Sequence, residues 1–308
     1  MKKNSLKKKL VIILGGPTAS GKSKLALSLA KKINGEIING DSMQVYKNLP
    51  ILTSQPNLED QKEVEHHLYG YVATTKSYNA MNWMLEAKQV INKLHKQNKN
   101  VILVGGSGLY LEFLYKGVNK YPVISKEIKN KVKKIFNDNS LNELYSFALK
   151  IDYEYTSKVS KKDIFRLTKL LEVYYQSNKN ITYFQNNKRQ STNYSFFKIL
   201  HMPDKEIVKM NIENRFFDMV KEGLVKEVEN SIDKVKESNI EKAIGFIEIR
   251  DYISGKLKFD EAKDLIIKRT KSFAKRQYTW FNNRYDPDIK VNSIENVSLI
   301  VESFLKIN

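Results

Sequence analysis

Residues 10–14, Leu-Val-Ile-Ile-Leu, form a short, mostly β-branched apolar run that feeds directly into Gly15-Gly16-Pro17-Thr18-Ala19-Ser20-Gly21-Lys22-Ser23. A helical pattern follows over residues 24–32. Gly16-x4-Gly21-Lys22-Ser23 has the spacing of a phosphate-binding loop, and the context such a loop requires, strand before and helix after, stands on both sides. Glycines let successive backbone N–H groups curl around a polyphosphate, the helix N-terminus adds positive potential, and Lys22 supplies a point charge. Ser23 carries the hydroxyl expected on a phosphate-bound Mg²⁺. The same residues without a ligand would be a glycine-rich strand-to-helix turn, but strand, loop, Lys-Ser and helix together favour a polyphosphate. What is done with that polyphosphate is left open by the loop itself.

The first hundred residues continue as alternating strands and helices, as a parallel α/β sheet requires. Residues 35–40 read as a short buried strand ending in Asp41-Ser42, residues 83–97 as a helix with Met84, Ala87, Val90, Ile91 and Leu94 on one face, and residues 101–104 as a third strand. That strand runs into Gly105-Gly106-Ser107-Gly108, with a helix from about Leu109. Parallel strands end on one edge of a sheet, so Lys22 and Ser23, Asp41, and Ser107 are expected to face one crevice. A carboxylate beside a polyphosphate serves as a general base or as a partner of Mg²⁺. The alternatives are a cap or turn role for Asp41 and a plain glycine-turn role for Ser107.

The texture changes after Gly117. Residues 119–193 are helical, polar and basic, with Lys126, Lys129, Lys131, Lys133 and Lys134 close together, then Lys158, Lys161, Lys162, Arg166 and Lys169, and a closing Asn186-Asn187-Lys188-Arg189-Gln190. This reads as an inserted helical domain, with residues 1–118 and 194–308 forming the core. Residues 194–200 return to strand character, Asp204 is a good N-cap for a helix to about residue 220, and further helices are expected at about 225–237, 241–254 and 260–281. The chain as a whole carries 53 Lys and Arg against 34 acidic residues, a net charge of +19. Such a surplus points to a polyanionic partner, nucleic acid or an anionic membrane, or else to a proteome rich in Lys and Asn throughout. With no Cys and only His66, His67, His95 and His201, a Cys zinc site is excluded and a His metal cluster is not expected. The lysines at residues 2, 3 and 7–9 precede an apolar run too short for a signal peptide, and no stretch approaches a membrane span, so a cytoplasmic protein without membrane attachment is expected.

Six blocks, in order, resemble the successive signatures of tRNA dimethylallyltransferases. They are Gly16-Pro-Thr-Ala-Ser-Gly-Lys-Ser23, Gly40-Asp-Ser-Met-Gln-Val-Tyr46, Val104-Gly-Gly-Ser-Gly-Leu-Tyr110, Asn214-Arg-Phe-Phe-Asp-Met219 with Gly223-Leu224, Lys242-Ala-Ile-Gly-Phe246, and Lys275-Arg-Gln-Tyr-Thr-Trp-Phe281. The resemblance implies a P-loop-like parallel sheet flanked by helices. It also implies transfer of a dimethylallyl group from its diphosphate to N6 of the adenosine immediately 3′ of the anticodon, in tRNAs reading codons that begin with U. It places the diphosphate in the loop, against Gly16, Pro17, Thr18, Ala19, Ser20, Gly21, Lys22 and Ser23, with Mg²⁺ reaching Ser23 through the diphosphate. By the same resemblance Asp41 is the base, Ser107 positions amine and leaving group, and Lys22 and Arg215 act on the diphosphate. The tRNA anticodon stem-loop would meet Asp41, Ser42, Met43, Gln44, Ser107, Lys129, Arg166, Lys275, Arg276, Gln277, Tyr278, Thr279, Trp280, Phe281 and Asn282. The enzyme is expected to be a monomer.

The chain departs from the family pattern at several positions: Gln55 stands where a Lys is usual, Phe165 where a Gln is usual, Asn282 where an Arg is frequent, and Ser107 where a Thr is often found. Three other readings share some of these features. A transferase acting on free adenine nucleotides would use the same sheet chemistry but has no need of a basic insertion. A phosphate-loop kinase accounts for the first block alone, and a non-catalytic RNA-binding module leaves Asp41 and Ser107 unexplained.

Overall fold

The computed structural model describes residues 9–76, 78–187, 189, 192–235 and 238–307. It divides into two compact units, Met1–Tyr115 with Asn193–Asn308, and Lys116–Thr192.

The first unit is built on a parallel sheet of six strands in the order β3-β2-β4-β1-β5-β6. In chain order these are β1 (Lys9–Gly15), β2 (Gly35–Asn39), β3 (His66–His67), β4 (Asn100–Gly105), β5 (Tyr194–His201) and β6 (Ile289–Val291). Val11 to Leu14 of β1 are buried without alternation. A strand at the centre of a parallel sheet is covered on both faces and so reads as a continuous apolar run. Helix α1 (Lys22–Ile33) covers one face through Leu25, Ala26, Leu29 and Ala30. Helix α2 (Ala80–Lys96) turns Trp83, Met84, Ala87, Ile91 and Leu94 inward, and α3 (Gly108–Lys116) follows β4.

The second unit holds a small core of its own. Its main helices are α4 (Lys126–Asp138), α5 (Leu141–Ile151) and α6 (Ile164–Ser177), packed through Val132, Leu144, Ala148, Leu167, Leu170 and Leu171. Each start is capped by a local acceptor. Ser125 takes the Ile128 N–H, Ser140 and Glu143 form a capping box, and Asp163 takes the Arg166 N–H. Helix α4 buries Val132 alone, so Lys126, Lys129, Lys131, Lys133 and Lys134 all stand exposed.

After β5 the first unit resumes with α7 (Lys205–Lys221), α8 (Phe246–Ile253), α9 (Phe259–Arg284) and α10 (Val297–Ile307). Several outcomes differ from the sequence reading. The strand expected third is β4, because the two-residue β3 precedes it. β6 and α10 were not anticipated; α10 seats Ile300 and Phe304 in the same core cluster as α1. The single helix expected over 225–237 is two short helices, Leu224–Glu229 and Ile232–Val235, broken where the buried Ser231 donates its hydroxyl to the Asn48 carbonyl at 3.1 Å. The helix expected over 241–254 begins only at Phe246, because Gly245 takes a left-handed φ of 103°. Lys188, Gln190, Glu237 and the lysines before residue 9 lie outside the described residues.

Candidate active site

Parallel pairing brings the strand ends level. Gly15 of β1 is in register with Gly105 of β4 and Leu200 of β5, and Asn39 of β2 with Val104 of β4. The turns that follow open on one edge of the sheet, where open α/β sheets bind ligands. A cleft of about 1350 Å³ lies there, lined among others by Thr18 to Lys24, Asp41 to Gln44 and Arg215. Every residue lining it belongs to the first unit.

The loop after β1 is shaped for an anion. Gly21 takes a left-handed φ of 87° as the N-cap of α1, and no side chain caps the helix, so its first amides are left for a ligand. Ser20 is buried and its hydroxyl has no hydrogen-bond partner among the described residues. Beneath it His201, also buried, donates Nε2–H to the Ser20 carbonyl at 2.6 Å. From α7, Asn211 donates its amide to the Ala19 carbonyl at 3.0 Å.

Two cations face this loop and one carboxylate faces both. Desolvation lowers the Lys22 ammonium to about 8, with Asp41 working against that shift and Arg215 with it. The Arg215 guanidinium, brought in by α7, is lowered by burial and supported by Asp41. Lys22 and Arg215, both partly buried, outnumber the one carboxylate that acts on both, so this part of the cleft carries net positive charge. The site is therefore complementary to a ligand of high negative charge.

Asp41 is fixed by its neighbours. Its N–H donates to the Asn39 Oδ1 at 2.7 Å, its carbonyl accepts from the Asn39 Nδ2 at 3.0 Å, and its Oδ1 accepts the Met43 N–H at 2.9 Å. No hydrogen bond among the described residues engages Oδ2. Asn39 is fully buried, and its own carbonyl accepts from the Trp83 Nε1 at 2.7 Å. The Ser107 hydroxyl accepts the Ser42 N–H at 3.0 Å and donates to the Ser42 Oγ at 3.3 Å, stitching the loop after β4 to the loop after β2. Tyr69 and Tyr110 both feel the Asp41 charge; burial first, then that charge among other contributions, raises both phenols.

A family model described as IPP transferase matches residues 44–284. A tRNA dimethylallyltransferase of Pelagibacter ubique is 36% identical over 294 residues, covering 94% of this chain and 93% of its own length. The chain belongs to the tRNA dimethylallyltransferase family. One of Ehrlichia chaffeensis is 35% identical over 279 residues, 89% of this chain and 91% of the relative. Among solved structures, a eukaryotic dimethylallyltransferase acting on tRNA superposes with a TM-score of 0.85 at 25% identity, covering 97% of this chain and 80% of that one. The Bacillus halodurans tRNA isopentenylpyrophosphate transferase gives 0.71 at 27% identity, covering 98% and 97%.

For a tRNA dimethylallyltransferase, the residues expected at the site fall into two groups. Lys22, Ser23, Asp41, Ser42, Met43 and Arg215 line the cleft together, and Ser107 meets them through Ser42. Lys275, Arg276, Thr279 and Asn282 are exposed on α9, with Arg276 also lining the cleft and lying over the Phe273 ring at 5.7 Å. Gln277, Tyr278 and Phe281, expected to face tRNA, are instead buried, because α9 packs the face that also carries Ala262, Ile266, Thr270 and Ala274. Tyr278 donates its hydroxyl to the Pro203 carbonyl at 2.6 Å, and Trp280 is half-buried. Gln44 lines the cleft but commits its amide to the Thr53 and Ser54 carbonyls at 3.0 and 2.6 Å.

In the second unit Lys129 is exposed, Arg166 is exposed beside Asp163 at 3.3 Å, and Phe165 is 81% exposed. Gln55 donates to the Tyr46 carbonyl at 2.9 Å and to the Thr53 Oγ1 at 3.1 Å, so at this position the chain ties its own loop. Asn39, Tyr69, His201 and Asn211 were not foreseen as site residues. Only Asn39 had a signal, a polar residue ending an otherwise buried apolar strand.

Proposed function

We propose that the cleft binds dimethylallyl diphosphate and transfers its dimethylallyl group to N6 of the adenosine immediately 3′ of the anticodon, in tRNAs reading codons that begin with U. The products are N6-isopentenyladenosine and diphosphate. The observation that carries this reading is the meeting of Asp41 with the desolvated cations Lys22 and Arg215. The N6 lone pair forms a bond to C1 of the donor as the C1–O bond breaks, and that electron pair leaves on the diphosphate. The free amides of the loop, Lys22 and Arg215 stabilise the charge that develops there, being already in place before the reaction. Asp41 accepts the proton lost from N6 through Oδ2, which no hydrogen bond among the described residues engages. Ser107 holds the Asp41–Ser42 turn against the loop after β4 and so fixes the base relative to the leaving group.

Mg²⁺ fits this donor set as an ion carried by the diphosphate. Among the described residues no group of three or more His, Asp or Glu could hold a metal alone, and the Ser23 hydroxyl stands in the first turn of α1. When bound, the ion neutralises leaving-group charge.

The acceptor adenine must leave the anticodon-loop stack, which takes roughly a few kcal/mol. Exposed cations supply the sequence-independent grip on such an RNA: Lys275 and Arg276 in the first unit, and Lys129, its neighbours on α4, and Arg166 in the second. Binding is therefore expected to weaken steeply with salt. We take the enzyme to act as a cytoplasmic monomer, where its tRNA substrate is found. The test is to incubate the protein and Mg²⁺ with dimethylallyl diphosphate and either unmodified tRNA or AMP, and to follow the products by mass. Addition to the tRNA at that adenosine is expected, whereas addition to AMP alone would overturn the reading.

A further inference from the structure

Helix α9 has two faces with different work to do. Lys275, Arg276, Thr279 and Asn282 are exposed, whereas Gln277, one turn from each of the flanking buried residues Ala274 and Phe281, is only 5% exposed. Its side-chain amide spans two loops at once. Oε1 accepts the Thr18 N–H at 2.8 Å, and Nε2 donates to the Gly106 carbonyl at 3.0 Å. The first contact is on the loop after β1, the second on the loop after β4 that carries Ser107. Gly106 has no Cβ to obstruct this, and one placed there would overlap the Gln277 Nε2; one on Gly108 would overlap the Trp280 ring. The glycines of the β4 turn thus admit α9 side chains, in addition to shaping the turn.

Two consequences follow. The Thr18 N–H is already taken, so the diphosphate must be held by amides further along the loop. The loop after β1 carries the leaving group, and the loop after β4 is joined through Ser107 and Ser42 to Asp41. We infer that Gln277 is a positioning residue that sets the height of the phosphate loop against the Ser107–Asp41 limb, and so aligns the donor carbon with the base. This rests on the transferase reading above. A primary amide suits the task because it offers one donor and one acceptor at a fixed separation. Loss of either bond leaves a backbone group unpaired in a buried setting and lets the two loops drift.

The variants Gln277→Met and Gln277→Glu test this. Gln277→Met keeps the length and removes both bonds. It is expected to lower the single-turnover rate at saturating tRNA and dimethylallyl diphosphate by about 10- to 100-fold, since small misplacements of reacting groups have effects of that size. Its tRNA affinity, measured by fluorescence anisotropy without donor, is expected to stay within about twofold, which also reports that the protein is folded. Gln277→Glu keeps the acceptor and loses the donor while ionised. Its rate relative to wild type at each pH is expected to recover on acidification, as the protonated carboxyl again donates to Gly106. An unchanged single-turnover rate in Gln277→Met would overturn the inference. So would a tenfold loss of tRNA affinity with the rate intact, which would make Gln277 an RNA contact. If wild type itself fails to modify tRNA, the functional reading fails first, a result distinct from either of these.

Discussion

Replacing Asn39 by Ala removes three hydrogen bonds from a fully buried side chain: one from the Asp41 N–H, one to the Asp41 carbonyl and one to the Leu68 carbonyl. The Trp83 bond to the Asn39 carbonyl survives, because it engages the backbone. Each buried polar group left unpaired costs about 1–3 kcal/mol. Asp41 and Leu68 are only half-buried, so water reaches part of what is lost. The net destabilisation is therefore set at about 2–4 kcal/mol rather than three full penalties. With a urea slope near the upper end of the usual range, about 3 kcal/mol/M, the midpoint falls by about 1 M. The chain has two tryptophans, Trp83 and Trp280, and both lie in the first unit, so intrinsic fluorescence follows that unit selectively. The catalytic effect is separate. Asp41 loses both backbone anchors and its carboxylate wanders from the acceptor amine, for an expected loss of about 10- to 100-fold in kcat. Asn39→Asp is expected to be worse than Ala at neutral pH, since it sets a carboxylate against two carbonyls. An Asn39→Ala protein with the wild-type midpoint and single-turnover rate would refute the claim that this amide holds the base.

The remaining predictions concern pH. Burial chiefly lowers the pKa of His66, His95 and His201, so between pH 6.5 and their folded values the unfolded chain binds more protons than the folded one. Stability is then fully present above about pH 6.5 and is lost as pH falls below it, with the almost fully buried His201 alone contributing up to about 1.4 kcal/mol per pH unit. Glu227, raised mainly by burial, acts in the opposite sense above its ordinary carboxylate range, so the histidine effect is read at higher pH: urea midpoints should hold between pH 7.5 and 6.5 and fall between 6.5 and 5.5, and a flat series would contradict this. Lys22, at about 8 in the free protein, should make dimethylallyl diphosphate affinity decline above pH 8, by up to tenfold per unit. Calorimetric titration should show the decline in wild type and lose it in Lys22→Arg, where the charge persists; an identical bend in both would remove Lys22 as its source.

What could be read from the chain ahead of its structure follows from how local each signal is. The phosphate loop was legible because its chemistry demands glycines, a lysine and a hydroxyl at fixed spacing, between a strand and a helix that announce themselves. Asp41 and Ser107 were legible because parallel strands must end on one edge. β3 and β6 were not, since two and three residues are too few to show a period. The inward turn of Gln277 was legible in principle: Ala262, Ile266, Thr270, Ala274 and Phe281 recur at helical spacing, and Gln277 lies on that stripe. The family motif drew attention to the block as a whole and hid the facing of its members. The commitment of Gln44 to Thr53 and Ser54 could not have been read, because it depends on a return of the chain that no short-range pattern encodes.

The brevity of β3 and β6 has a consequence of its own. A parallel sheet ends in two open margins, and an open margin with a long row of unpaired amides invites a strand from another molecule. Here the outermost strands are only two and three residues long, against seven in β1 and eight in β5, so β6 covers only residues 199–201 of β5. The strands richest in Val, Ile and Leu, β1 and β4, sit at the middle of the stack with neighbours on both sides. The most apolar strands are thus paired along both sides, and the strands that close the sheet at either margin are its two shortest.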